Sequence, residues 1–319
     1  MEGRITMDNS QLAVRMKEFY EQIPKTKLMR RTPVAIRLDG KAFHTFTRGF
    51  KKPFDHVLIA AMQKTMKALC ENIQGCVFGY TQSDEITLIL ADYKKLNSSA
   101  WFDYEVQKMC SIAASMATMY FNKFFEKEVL EYIDTTMTLQ DSDIEKKYLE
   151  TLNQAMEKGA MFDARVFNIP KEEVANLLYW RQLDATRNSI QMVGQKYFTH
   201  KELQGVSCNQ IQNKLLTEKD VNWNDFKPHL KRGTCCYKQL TFVVDEREPF
   251  EKQVPKLRSY WYVDIEPPIF KEDWHYIDRH IFIDEKIEAV LRQCEEAIDT
   301  NQFIEEHKKF LEEVYCTGN

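Results

Sequence analysis

Asp39 and Asp84 each close a short apolar stretch, in Val34-Ala35-Ile36-Arg37-Leu38-Asp39-Gly40 and in Gly79-Tyr80-Thr81-Gln82-Ser83-Asp84-Glu85. Two carboxylates brought together with no lysine between them repel. A hard divalent cation relieves that repulsion, most often Mg²⁺ held by one or two carboxylates and by phosphate oxygens. The chemistry such a site supports is phosphoryl or nucleotidyl transfer. Gly40, without a Cβ, either lets backbone approach a ligand or simply ends a strand. Strict alternation turns Glu85 away from Asp84, which leaves open which of the two faces Asp39.

The elements that must position these residues follow from periodicity. Apolar residues at 34, 36 and 38 mark a half-buried strand from Pro33 to Leu38, ended by Gly40. From Pro53 to about Asn72 the spacing becomes helical, with Val57, Leu58, Ala61, Met62, Thr65, Met66 and Leu69 on one face. Cys76–Tyr80 and Ile86–Leu90 are β-rich runs around the turn Thr81-Gln82-Ser83-Asp84. Strand, helix, strand, strand is a split βαβ unit, in which Asp39 and Asp84 meet at one edge of the sheet. A long helix from about Ala100 to Glu126 follows, with Phe102, Val106, Met109, Ala113, Met116, Tyr120 and Phe124 as its core stripe. Glu131–Glu157 is expected to be a loop or helical excursion, and Met161–Ile169 a strand that places Asp163 and Arg165 on one face. Pro170 opens a helix with a polar stripe of Arg181, Asp184, Asn188, Gln191 and Gln195, in which Asp184 can hold Arg181.

Five ordered blocks resemble the tRNA-His guanylyltransferase family: Arg37-Leu38-Asp39-Gly40-Lys41-Ala42-Phe43-His44, Lys52-Pro53-Phe54-Asp55, Gly79 to Glu85, Phe162-Asp163-Ala164-Arg165-Val166, and Trp180-Arg181-Gln182-Leu183-Asp184. The similarity runs from about residue 10 to about residue 240. Where the eukaryotic enzymes carry a His-Ile-Asn-Asn-Leu-Tyr-Asn-Thr motif, this chain has Thr186-Arg187-Asn188-Ser189-Ile190-Gln191-Met192-Val193. That departure resembles the guanylyltransferase-like proteins of bacteria, archaea and phages, whose implied activity is templated 3′-to-5′ nucleotide addition to 5′-truncated tRNA. Phe54 and Met192 stand where asparagines are usual.

The resemblance implies an α+β, polymerase-palm-like antiparallel sheet backed by helices, with a mixed C-terminal extension. It also implies two Mg²⁺ ions on Asp39, Asp84 and the Gly40 carbonyl, and a catalytic set of Asp39, Asp84 and Glu85. Arg37, Lys41, Phe43, His44, Lys52, Asp55 and Ser83 are the implied nucleotide-binding residues. Asp163, Arg165, Arg181, Asn188 and Arg232 are implied to meet tRNA or nucleotide. Several have a second reading: Arg37 contacts triphosphate or neutralises the carboxylates, His44 takes part in 5′ activation or packs as a partly buried imidazole, and Ser83 binds phosphate or caps its turn. GTP and other nucleoside triphosphates would be substrates, ATP would serve 5′ activation, and a homotetramer would bind tRNA.

Composition sets the outer bounds. With 319 residues, 44% of them hydrophobic, the chain can form a large core. Residues 1–240 are expected to form the catalytic domain, and 241–319 a hairpin and helical extension. In that extension Asp245–Pro249 is a turn, Trp261–Ile265 its partner strand, Pro267-Pro268 a stop, and Ile283–Val314 a charged helical end. No 18-residue apolar run occurs and Met1–Ser10 lacks an apolar signal core, so a cytoplasmic protein is expected. Eight cysteines without a Cys-x-x-Cys pair indicate reduced thiols, Cys235-Cys236 included. A net charge of −4 requires that any RNA surface be local, at Lys25–Arg31, Arg48–Lys52 or Lys227–Lys238. A palm-type cyclase or phosphotransferase acting on small nucleotides, or a noncatalytic tRNA-binding module, would use the same fold.

Overall fold

In the computed structural model, which describes residues 11–93, 97–136, 143–243 and 256–281, the alternation from Val34 builds the expected strand and carries it through Gly40. The elements are α1 (Gln11–Met16), β1 (Val34–Gly40), α2 (Phe43–Phe46), α3 (His56–Asn72), β2 (Cys76–Gln82), β3 (Glu85–Leu90), α4 (Val106–Thr136) and α5 (Asp143–Lys158). Then come β4 (Phe162–Asn168), α6 (Val174–Tyr197), α7 (His200–Leu203), α8 (Cys208–Lys219), α9 (Pro228–Arg232), β5 (Thr234–Val243), β6 (Lys256–Asp264) and α10 (His275–Ile281). The six strands make one antiparallel sheet in the order β4-β1-β3-β2-β5-β6. Its first four strands, with α3 joining β1 to β2 and α4 joining β3 to β4, form two interleaved split βαβ units, the ferredoxin-like core of a palm.

Helices α3 and α4 cover one face. Ile36, Leu38, Ile86 and Leu88 pack there against Met62, Met66 and Leu69 of α3 and Met109, Ala113, Phe121 and Phe125 of α4. Helix α4 begins later and ends later than its sequence pattern indicates. Phe102, Asp103 and Tyr104 have φ of 49°, 51° and 56°, so a left-handed turn separates Ala100 from the helix. Its buried line is Met109, Ala113, Ala117, Phe121, Phe125 and Val129, while Met116, Tyr120 and Phe124 flank it half-buried and Phe102 is exposed. Small alanines let α4 approach the sheet closely, so residue size misplaces the stripe. The Glu131–Glu157 region is helical, as the end of α4 and α5, whose Tyr148, Leu152 and Ala155 are buried.

The opposite face carries a second core, in which Ala35, Tyr80, Ile89 and Cys235 meet Val174, Ala175 and Leu178 of α6 and Phe270, Tyr276 and Ile277. Vicinal Cys235 and Cys236 therefore point to opposite sides of β5, each fully buried. β5 runs across residue 240 and pairs with β6 from Cys235↔Asp264 to Val243↔Lys256, so the strand expected from Trp261 starts earlier. Asp264 anchors this extension, accepting from Tyr276 Oη at 2.5 Å and Tyr237 Oη at 3.3 Å. The expected turn Asp245–Pro249, the helical end Ile283–Val314, Cys294 and Cys316 lie outside the described residues. Among the described residues no helix is long and apolar enough to cross a membrane.

Candidate active site

Register decides what faces Asp39. Glu85 on β3 and Asp163 on β4 are its direct cross-strand partners, so three carboxylate residues form one row across β3, β1 and β4. Arg37, Thr87 and Arg165 form the next row on the same face. Asp84 sits in the turn: β2 continues to Gln82 and β3 starts at Glu85, which shortens the expected four-residue turn to Ser83-Asp84. Ser83 takes a left-handed φ of 51°, its Oγ donates to Asp84 Oδ1 at 3.0 Å, and Gly40 N donates to Asp84 O at 3.1 Å. That last bond ties the end of β1 to the turn and brings the two motifs together.

Charge in this corner is under strain. Burial pushes the Asp84 carboxyl above its ordinary pKa, the Ser83 hydroxyl opposes the shift, and the charge of Asp39 adds to it. Burial also raises Glu85, against the pull of Arg181 and Arg37 and with the push of Asp39. Arg181 Nη1 meets Glu85 Oε2 at 2.8 Å with both side chains buried, and Asp184 Oδ2 lies 3.7 Å from the same nitrogen. Glu85 Oε1 and Arg181 Nε are buried without hydrogen-bond partners among the described residues.

A cavity of about 650 Å³ opens beside the carboxylates. Asp39, Gly40, Phe43, His44, Lys52, Asp55, Ser83 and Asp84 all line it, so most of the nucleotide-binding residues expected from sequence converge on one space. Arg48 and Lys51, not singled out individually, line it as well, as does Met192, which stands where an asparagine is usual. A smaller cavity of about 90 Å³ adjoins it, sharing Asp55, Leu58, Ser83 and Met192 and adding Phe54, Asn188 and His229. Burial lowers the His229 pKa, which favours the neutral imidazole there.

Individual placements explain several residue choices. A Cβ on Gly40 would lie 2.1 Å from the Phe43 ring, which is buried among Phe46, Phe121 and Phe162. Gly40→Ala therefore forces the ring or the strand end to move. The expected result is a loss of about 1–3 kcal/mol in urea unfolding, typical of overpacking, together with reduced activity. Asp55 caps α3 and is held by three donors: Leu58 N at 3.0 Å, Lys51 N at 3.0 Å and Tyr148 Oη at 2.7 Å. It thereby fixes the Lys51–Lys52 backbone over the cavity and joins α5 to α3. Lys41 is exposed, and its backbone N donates to Met161 O at 2.8 Å.

Other expected residues stand elsewhere. Arg37 and Glu85 face α6 and lie outside the cavity lining. Arg181 is buried on Glu85. Asp163 and Arg165 are exposed on β4, 3.7 Å apart. Asn188 Nδ2 approaches Asp184 Oδ2 at 3.4 Å. Arg232 is half-buried, and its carbonyl accepts from Tyr80 Oη at 2.6 Å. The Lys227–Lys238 patch is partly internal: Lys231 is buried and donates to Asn224 O at 2.6 Å. Sequence reasoning missed the Glu85–Arg181 pair and the Tyr148 contact. The polar stripe of α6 was the only signal for the former, and periodicity carried none for the latter.

Among the described residues no group of three or more His, Cys, Asp or Glu side chains is disposed to cage a metal. Asp39 and Asp84 line one cavity as hard oxygen donors that fit an open divalent site completed by substrate and water; burial chiefly, and the charge of Asp39 in addition, hold the Asp84 carboxyl above its ordinary pKa, and a cation would offset both.

A palm sheet with carboxylates at the end of β1 and in the β2–β3 turn, beside a cavity lined by basic residues, is the arrangement of a nucleotidyltransferase. The family profile of tRNAHis guanylyltransferase matches residues 13–170. The chain is 30% identical over 243 residues to uncharacterized protein R259 of Acanthamoeba polyphaga mimivirus, covering 73% of this chain and 78% of that one. It is 26% identical over 232 residues to the probable tRNA(His) guanylyltransferase of Homo sapiens, 67% of each chain. A solved bacterial tRNA(His) guanylyltransferase-like protein in complex with ATP superposes with a TM-score of 0.68 at 38% identity, covering 86% of this chain and 100% of the other. The Saccharomyces cerevisiae tRNA(His) guanylyltransferase shares the fold, at a TM-score of 0.53 and 21% identity. The chain belongs to the tRNA(His) guanylyltransferase family.

Proposed function

We propose that the protein adds nucleotides to the 5′ end of tRNA in the 3′-to-5′ direction, directed by the opposing acceptor strand, as a repair or guanylylating enzyme. The observation that carries this reading is the convergence of Asp39 and Asp84 with His44, Arg48, Lys51 and Lys52 around one cavity. Carboxylates at one wall and the basic Arg48 and Lys52 at another, with the Lys51 ammonium turned to Glu145, suit a triphosphate drawn toward a metal-dependent centre. Related proteins in complex with ATP and with GTP, at 38% and 35% identity, support nucleoside triphosphates as ligands. The divergent Thr186–Val193 segment supports truncated tRNA over tRNA-His as the main substrate.

Asp39, Asp84 and the Gly40 carbonyl would hold two Mg²⁺ ions, which when bound supply an acidified hydroxyl and charge neutralisation at the triphosphate. His44, Lys52 and Ser83 bind phosphate oxygens from the cavity wall. The carbonyl end of β1 stays in place through Gly40 N on the Asp84 carbonyl. Glu85 holds the row opposite Asp39. ATP serves 5′ activation, residues 1–240 carry the chemistry, and the working form is a cytoplasmic homotetramer.

The test combines the protein with Mg²⁺, labelled nucleoside triphosphates and a 5′-triphosphorylated tRNA lacking its first nucleotide, beside intact tRNA-His and a reaction without RNA. Addition that follows the opposing acceptor base supports the reading. Turnover of nucleotide that ignores RNA would point to a cyclase or phosphotransferase. RNA binding without addition would leave a binding module.

A further inference from the structure

One aromatic side chain beside the active site is held rigidly and left half uncovered. Trp180 of α6 retains 50% of its surface, on the face of the sheet where α6 packs over Ala35 and Ile89. Its indole is fixed from within: the Arg181 Cζ lies 3.5 Å from the ring centroid, and Glu85 pins that guanidinium at 2.8 Å. The Arg37 Cζ lies 5.6 Å from the same centroid. Among the described residues Arg37 makes no salt bridge, acting on Glu85 only through space, and it lies two residues from Asp39 on the same strand face. Arg165, its cross-strand neighbour, pairs only loosely with Asp163 at 3.7 Å, with both side chains more than half exposed.

A half-exposed indole carrying the Arg181 guanidinium on its ring, beside one guanidinium outside any salt bridge and a second exposed one, matches a ligand that presents a flat ring and negative charge together. A nucleotide does so. The Arg37–Arg165 row stands two residues, about 7 Å, along the strands from the Asp39–Asp163 row. A ligand stacked here is within one or two nucleotides of the carboxylates.

We propose that Trp180 is a stacking platform for an unpaired base at the end of the RNA substrate, with Arg37 and Arg165 taking the adjoining phosphates. This rests on the RNA-end reading above and adds the part of the RNA that is gripped. Stacking accepts any base, so the platform secures the end of the strand without reading its sequence and leaves base choice to the template.

The experiment measures binding of the full-length protein to two labelled RNA hairpins, one with an unpaired 3′ extension and one blunt-ended. Wild type, Trp180→Ala, Trp180→Phe and Arg165→Ala are compared, with thermal melts confirming the fold. Trp180→Ala is expected to weaken the extended hairpin about tenfold and leave the blunt one nearly unchanged, while Trp180→Phe keeps most of the affinity. A 2-aminopurine in the extension changes its fluorescence on wild type and not on Trp180→Ala. Arg165→Ala lowers the salt dependence of binding by about one in log–log slope. Wild-type affinity in Trp180→Ala for the extended hairpin, or equal loss for both hairpins, overturns the platform. So does an altered sedimentation state with RNA affinity intact, which would make this face a contact between copies. If wild type binds neither hairpin, the RNA-end reading falls and the platform with it; if wild type binds both and Trp180→Ala shows no selective loss on the extended one, the platform falls alone.

Discussion

Asp84→Asn is expected to fold, to lose nucleotide addition by on the order of 10³-fold or more, and to be more stable than wild type when divalent cations are removed. The loss follows from withdrawing one of two carboxylates from a site worth several kcal/mol to the reaction. The gain follows from electrostatics. Folding raises the Asp84 pKa through burial and the nearby charge of Asp39. A carboxyl shifted upward supports the fold at pH below its ordinary value, and that support is lost as pH rises through the raised value. Without a cation, the contribution of Asp84 to wild-type stability therefore falls on going from acid toward neutral pH, and that of Glu85, shifted the same way, falls with it. Asn at 84 has the shape and no charge, so it removes its share of that trend.

Thermal melts across the carboxylate titration range, with and without Mg²⁺, check this. Mg²⁺ should raise the wild-type midpoint by binding the native state, and should raise the Asp84→Asn midpoint much less. Equal effects of Mg²⁺ on both proteins would move the cation away from Asp84, and full activity in the variant would remove Asp84 from the site.

The parts of this site that local rules dictate were legible in the sequence. Alternation at Val34, Ile36 and Leu38 gives β1 its buried face, and turn residues at Ser83-Asp84 give the hairpin, which together place Asp39 and Asp84 at one edge. Two kinds of information were not local. Whether Asp84 or Glu85 faces Asp39 depends on a register set by the length of the turn, and a shift of one residue exchanges them. The second core depends on α6 folding back over β2 and β3, and nothing in the polar stripe of α6 announces that Arg181 turns inward. Its 6% exposure reverses the expectation for a charged residue in the polar stripe of a helix. Helix α4 shows the third limit. Ala113 and Ala117 are fully buried because the sheet comes close, while the bulkier Met116 and Tyr120 are pushed to the flank.

That inward arginine carries the second large effect. Glu85→Ala would leave a buried guanidinium whose remaining carboxylate, Asp184, stands 3.7 Å away, and whose Nε already lacks a partner. Arg181→Met would leave a buried carboxylate opposite Asp39. Each single change is expected to cost about 3–5 kcal/mol in urea unfolding, because breaking a buried pair strands a charge. The double change, Glu85→Leu with Arg181→Met, strands none and should cost much less than the sum of the two. Activity then separates structure from chemistry. A stable double variant with no nucleotide addition means that the pair is kept to hold Asp39 across the strand at an otherwise avoidable cost in desolvation. A stable double variant that still adds nucleotides would reduce the catalytic carboxylates to Asp39 and Asp84, and singles no less stable than wild type would show that the pair is solvated in the working enzyme.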